Sequence, residues 1–196
     1  MLAETLQGKK IILGSASPRR QELLKSLGID FEIRAKDLKE KYPENLKEKE
    51  ISEFLAIQKS EQLSKTLKSD EILITADTIV VKGDRVLNKP KDKLEAKEML
   101  QFLSGDEHSV ITSVCLRNQQ KKLVFSSITK VFFKPLSNAE INYYVEEYKP
   151  FDKAGAYGIQ EWIGLVGIEK IEGSYFNVVG LPVVKLYQKL IQFVAL

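Results

Sequence analysis

The sequence predicts an α/β domain built around a mixed sheet, on three observations. Segments with helix and strand periodicity interleave along all 196 residues. The first elements read strand, small-residue turn, helix, strand. Hairpin-like pairs lie among the later strands, and a purely parallel sheet has no place for them. With 43% hydrophobic and 29% charged residues, the chain has the apolar content of one packed domain over 1–196 and is not globally disordered.

Residues 10–13, Lys-Ile-Ile-Leu, are a short apolar strand. Gly14 to Ser17 turn the chain, and Pro18 opens a helix with Leu23, Leu24 and Leu27 on one face and Gly28 as its stop. Ser17 before Pro18 fits an N-cap followed by proline at the first helical position, where a missing N–H costs nothing. Phe31-Glu32-Ile33 alternates as a strand. Residues 36–53 form a charged loop broken by Pro43 and Asn45, leading into a helix over 50–67. Residues 72–76 are a buried strand continued by 78–81, with Gly83-Asp84 turning it back into a hairpin arm at 85–87.

Leu94, Met99, Leu100 and Leu103 give residues 93–103 a helical period, closed by Gly105. Two β-rich runs, 109–117 and 123–133, meet at the polar turn 118–121. Residues 137–148 form a helix with Ser137 as N-cap and Glu140 completing a capping box. The tail is expected to alternate glycine-containing turns with short strands before a last helix over 182–194.

Composition excludes several classes of function. A net charge of +3 is too small to make nucleic acid or an anionic membrane the main partner. One cysteine, Cys115, forms no internal disulfide and points to a reducing, cytoplasmic setting. With one Cys and one His, no zinc site of the Cys/His kind can be assembled. No segment resembles a secretory signal or is long and apolar enough to span a bilayer. Neither the P-loop pattern nor the dinucleotide-binding glycine pattern occurs.

Three clusters carry candidate chemistry. In Ser15-Ala16-Ser17-Pro18-Arg19-Arg20, a helix start brings backbone N–H groups, two hydroxyls and two guanidiniums to one point. That arrangement suits phosphate oxygens, although a capped surface helix with solvated arginines has the same sequence. In Thr75-Ala76-Asp77-Thr78, a carboxylate interrupts an apolar strand. Asp77 is a candidate general base or Mg²⁺ ligand, or else caps a turn or pairs with a lysine. Lys89, held extended by Pro90, reaches a phosphate or is simply exposed. In the third cluster, residues 152–160, Ala and Gly allow a ligand close to the backbone, and Gln160 offers a donor and an acceptor to a base edge. His108 reads as structural or exposed, Cys115 as core, and Trp162 as a partly buried anchor.

Taken together, these clusters resemble the Maf family of nucleoside triphosphate pyrophosphatases. The resemblance rests on Ser15 to Leu24 (SASPRRQELL), Ala76-Asp77-Thr78-Ile79-Val80, Lys89-Pro90, the Leu103-Ser104-Gly105 to His108 stretch, Lys153 to Gln160 (KAGAYGIQ), and Gly180-Leu181-Pro182. It implies a long mixed twisted sheet with flanking helices and two lobes around a cleft, the inosine triphosphate pyrophosphatase-like, or Ham1-like, fold. It also implies hydrolysis of a nucleoside triphosphate between its α- and β-phosphates, a divalent cation (Mg²⁺ or Mn²⁺), and a homodimer. By position, Asp77 matches the family's proton acceptor. Ser15, Arg19, Arg20, Lys59 and Lys89 match its polar and basic cleft residues. Glu40 matches a cleft glutamate, and with Asp77 makes the implied metal-ligand set. Arg19, Thr78 and Gln160 match the specificity positions of the branch acting on dTTP and UTP. Glu161-Trp162 departs from that branch, where a glycine usually follows the glutamine. A nucleotide-binding regulatory module with little turnover is the alternative reading.

Overall fold

The computed structural model describes residues 2–36 and 41–195. In chain order its elements are α1 (Leu2–Thr5), β1 (Lys10–Leu13), α2 (Pro18–Ser26), β2 (Phe31–Ile33), α3 (Lys49–Ser64), β3 (Glu71–Lys82), β4 (Arg85–Leu87), α4 (Lys93–Leu103), β5 (Glu107–Arg117), β6 (Lys122–Phe133), α5 (Asn138–Tyr148), a 3₁₀ turn (Ala154–Ala156), α6 (Trp162–Gly167), β7 (Ile168–Glu172), α7 (Tyr175–Val179) and α8 (Val183–Ala195). The sheet runs β2-β1-β3-β5-β6-β7, and β4 pairs with β3 off that path. β1 is parallel to both β2 and β3, whereas β3–β4 and β6–β7 are antiparallel, so the sheet is mixed as expected. Among the described residues, no helix is long and apolar enough to cross a membrane.

The chain forms two compact units. The first holds Met1–Asp77, Thr112–Ser127 and Gly180–Leu196, and the second holds Thr78–Ile111 and Ile128–Val179. Strand alternation organises the first unit. Ile72, Ile74 and Ala76 of β3 join Ile11 and Leu13 of β1 in a core with Leu24 of α2 and Leu186, Leu190 and Phe193 of α8. The opposite residues, Ile12 and Leu73, pack with Leu63 and Leu67 at the end of α3. Helix α3 stops earlier than its apolar pattern: at 65–67 the backbone tightens, with Thr66 N–H bonded to Leu63 O and Leu67 N–H to Ser64 O, while Leu67 stays buried. Cys115 is a fully buried core residue, as expected.

At α2, the expected cap is only half present. Ser17 occupies the N-cap position with extended backbone and Pro18 follows, but the Ser17 side chain makes no capping hydrogen bond. Instead, the Ser17 N–H donates to Ser15 Oγ at 3.3 Å. Gly28 ends the helix as predicted: its φ of +70° is in the left-handed region, and its N–H bonds Lys25 O.

The second unit has its own core, in which Met99, Leu100 and Leu103 of α4 meet Ile141, Tyr144 and Val145 of α5, Val131 and Phe133 of β6, and Tyr157 and Ile159. The capping box at Ser137 and Glu140 is fully formed. Asp92, not identified from the sequence, caps α4 by accepting from Glu95 N–H at 2.9 Å. The tail corrects the sequence reading. Between 154 and 179 lie a 3₁₀ turn, two helices and one strand, β7, in place of the expected run of short strands. Gly164 and Gly167, read as strand-separating turns, belong to α6, whose six residues are too few for periodicity to tell helix from strand. His108 is buried and structural: it stacks on Phe133 and its Nε2 is 2.7 Å from Tyr157 Oη.

Candidate active site

In the first unit, the site is built where β1, α2, α3 and β3 meet. The path from β1 to Ser15 depends on Gly14. A Cβ there would stand 2.6 Å from Thr75 Cγ2 and 2.9 Å from Leu63 Cδ1, so only glycine lets the strand end lie this close to β3 and α3. Gly14 N–H bonds Ile74 O at 2.8 Å and continues the β1–β3 pairing to the edge of the site.

Arg20, in the first turn of α2, ties the region together. Its Nε donates to Gly180 O at 2.9 Å, and its Nη1 donates to Ala76 O at 2.9 Å and to Ser15 Oγ at 3.4 Å. A guanidinium is thereby fixed on the carbonyl of the residue preceding Asp77. Arg19, beside it in the same turn, is half-buried.

Asp77 reaches its place through the period of β3. Residues 73, 75 and 77 share the face that α3 covers: Leu73 packs on Leu63, Thr75 Oγ1 donates to Ala56 O at 2.7 Å, and Asp77 Oδ1 accepts from Lys59 Nζ. Ala56, Lys59 and Leu63 fall three and four residues apart, which puts them on one stripe of the helix. A buried carboxylate is costly in an apolar strand unless a countercharge meets it, and Lys59 supplies one. Of the alternatives open for Asp77, a turn cap is corrected: the residue lies inside a continuous strand.

The structure therefore brings Ser15, Arg20, Lys59 and Asp77 together, with Arg19 on the same helix start. Thr78, Lys89 and Gln160 belong to the second unit. Thr78, half-buried, follows Asp77 on β3 and alternates to the other face. Lys89 is exposed, in a segment whose Asn88 carbonyl accepts from Gly155 N–H at 3.3 Å. Gln160 is exposed at the end of the third cluster. Glu40 lies outside the described residues.

Around Gln160 the second unit carries a charged network that the sequence did not disclose. Lys153 is buried, with its Nζ 2.7 Å from Asp152 Oδ1 and 3.0 Å from Glu161 Oε1. The Tyr144 hydroxyl donates to Glu161 Oε2 and accepts from Gly158 N–H at 3.0 Å. Burial and the Glu161 carboxylate both push the Tyr144 phenol well above its usual range, so it is a donor at any physiological pH. The available signal was the unusual Glu161-Trp162 step after Gln160. Trp162, half-buried, makes an edge contact with Tyr143 at 4.8 Å between ring centroids, in keeping with an anchor.

Among the described residues, no group of three or more His, Cys, Asp or Glu stands ready to cage a metal ion. A single buried carboxylate, Asp77, is compatible with a magnesium-like ion that takes most of its ligands from water and phosphate oxygens, since such ions need only one or two protein carboxylates; the cationic side chains beside it suit the phosphates.

A mixed α/β sheet whose helix α2 opens on a serine and two arginines, next to an aspartate paired with a lysine, defines a class of protein equipped to hold a polyanion beside a carboxylate. The chain belongs to the Maf family: the family model described as Maf-like protein matches residues 10–193. It is 51% identical over 190 residues to a dTTP/UTP pyrophosphatase of Flavobacterium johnsoniae, covering 97% of this chain and 98% of that one. It is 50% identical over 193 residues to a protein of the same name from Parabacteroides distasonis, covering 98% and 100%. Among solved structures, the Staphylococcus aureus Ham1 protein aligns with a TM-score of 0.46 at 15% identity, over 64% of this chain and 72% of that one.

Proposed function

We propose that this chain is a nucleoside triphosphate pyrophosphatase acting on dTTP and UTP. The observation that carries the proposal is the identity of about half the residues, end to end, with proteins named for that activity. In the reaction, water attacks the α-phosphorus and the bond from it to the α–β bridging oxygen breaks. Pyrophosphate leaves with that electron pair, and the nucleoside monophosphate remains.

The residues divide this work. Arg19 meets phosphate oxygens as a planar fork, Arg20, fixed by its bonds to Gly180 O and Ala76 O, adds positive charge beside them, and the Ser15 hydroxyl adds a donor. Asp77 accepts the proton that the attacking water loses, and Lys59 holds that carboxylate in position. A divalent cation, Mg²⁺ or Mn²⁺, accompanies the triphosphate with Asp77 and Glu40 as its protein ligands, and when bound it supplies charge neutralisation on the phosphates. Thr78, Lys89 and Gln160 complete the substrate contacts, Gln160 offering a donor and an acceptor to the pyrimidine edge.

The substrate is a free nucleotide, not a nucleic acid, in keeping with a net charge of +3. The chain works as one functional domain, as a homodimer and in the cytoplasm. A single, buried cysteine is in keeping with the last of these.

Product analysis with dTTP and Mg²⁺ tests the reading. Thymidine monophosphate and pyrophosphate in equal amounts are expected, and release of orthophosphate in place of pyrophosphate would overturn the α–β cleavage.

A further inference from the structure

We propose that Glu161, acting through Tyr144 and Lys153, is the positioning residue that sets base discrimination by holding the Gln160 turn rigid. The inference rests on the proposed function, in which Gln160 reads the base. Its own ground is a set of contacts confined to the second unit.

Gln160 is exposed at the end of the 158–160 segment, so its own packing does little to orient it. Its neighbours are held firmly. One oxygen of the Glu161 carboxylate receives the Tyr144 hydroxyl, and the other lies 3.0 Å from Lys153 Nζ. The same Tyr144 oxygen accepts the Gly158 N–H. Residues 158 and 161 are thus pinned to one phenol on α5, and Glu161 N–H closes the segment onto Gly158 O at 3.0 Å.

The clamp requires a residue without a side chain at 158, and Gly158 is one. A Cβ there would stand 2.8 Å from Glu161 Cδ and 3.1 Å from Lys153 Cε, inside the space the ion pair occupies. One residue back, Tyr157 is locked by its 2.7 Å contact with His108 Nε2 and by the Phe133 ring. The clamp spans both flanks of Gln160 and leaves its side chain as the exposed member.

An ion pair with a buried lysine and a half-buried glutamate, carrying a buried tyrosine on it, adds little to stability by itself, because the cost of desolvating the charges offsets much of their attraction. What it supplies is a single geometry. Discrimination through a base edge needs such a geometry, since a glutamine free to rotate or translate satisfies several bases equally well.

The test compares kcat/KM for dTTP, UTP, CTP and GTP in the full-length chain and in Glu161→Gln, Tyr144→Phe, Gln160→Ala and Val131→Ala. Glu161→Gln keeps the shape and an acceptor for Tyr144 but loses the charge facing Lys153. Tyr144→Phe leaves the Gly158 N–H without its acceptor. Both are expected to lower the dTTP-to-CTP ratio of kcat/KM about tenfold. The loss should fall on KM for dTTP more than on kcat, and should come close to that of Gln160→Ala. Val131→Ala, which opens a cavity in the same core at a residue that makes none of the clamp's hydrogen bonds or ion pairs, is expected to lower Tm and leave the ratio unchanged.

If Gln160→Ala relaxes discrimination while Glu161→Gln and Tyr144→Phe leave it at the wild-type value, the positioning role is overturned and the proposed function stands. If Val131→Ala relaxes it equally, the effect is general destabilisation and the inference falls. If the wild-type chain does not hydrolyse dTTP, the proposed function fails first and takes the inference with it.

Discussion

Each unit contains a lysine paired with a carboxylate, and the two pairs are made differently. In the first unit, Lys59 and Asp77 come from a helix and a strand that meet only through packing, next to an arginine bonded to the neighbouring carbonyl. In the second, Lys153 and Glu161 come from one loop, and the partners of the carboxylate are a hydroxyl and the same lysine. The first pair stands among cationic groups suited to phosphates. The second lies in a network of internal bonds that order a turn. A lysine–carboxylate pair partly withdrawn from solvent does not by itself mark a reacting centre: its surroundings decide whether the carboxylate is placed to act or to hold.

The largest test of this contrast is Asp77→Asn. Loss of the proposed proton acceptor is expected to lower dTTP turnover about 100-fold or more with an unchanged far-ultraviolet circular dichroism spectrum. A near-normal rate would make the first pair as structural as the second.

A smaller effect is expected at Gly14, which sets the approach of β1 to β3 under the first pair. Gly14→Ala puts a methyl 2.6 Å from Thr75 Cγ2 and is expected to cost about 1–3 kcal/mol in a denaturant melt. An unchanged melt would show that the close packing beneath Asp77 has room to give.

The smallest effect separates the units by pH. Burial lowers the His108 imidazole of the second unit from 6.5 to about 3. The unfolded chain therefore binds a proton that the folded one refuses, and stability from this group is complete above 6.5 and falls as pH drops towards 3. In the first unit, the Arg34 guanidinium holds Glu71 by two bonds of 2.7 and 2.8 Å and lowers its carboxyl from 4.5 to about 2. That contribution is present above 4.5 and lost as pH falls towards 2. Between pH 6 and 5, the loss of stability should therefore come from the second unit. Its slope is expected to approach about 1.4 kcal/mol per pH unit and to vanish in His108→Gln. A slope that persists in that variant would assign the acid sensitivity elsewhere.

Much of the fold was legible in the sequence because local signals agreed with one another. Residues 93–103 and the Ser137–Glu140 capping box declare themselves through helical period and N-terminal chemistry, and both were found as read. The glycine-rich tail was not legible. Short helices such as Trp162–Gly167 are held by the packing of Ile163 and Gly167, and a six-residue pattern has too few positions to show a period.

The candidate site divides in the same way. The Ser15 to Arg20 cluster is visible as a motif because its residues are consecutive. The partners of Asp77 and of the residues flanking Gln160 are not consecutive and had no local signal: Lys59 lies 18 residues before Asp77, and Tyr144 lies 14 before Gly158.

The sequence by itself determined which residue types were available: a carboxylate in an apolar strand, two arginines at a helix start, a glutamine after a run of small residues. Only the tertiary structure decided that Asp77 faces Lys59, that Arg20 reaches Ala76 O, and that Glu161 clamps the turn beside Gln160. The physical reason is that periodicity assigns a side chain to a face of its own element. Which charge stands opposite is settled by how elements pack, and that depends on buried area and steric fit summed over residues far apart in the chain.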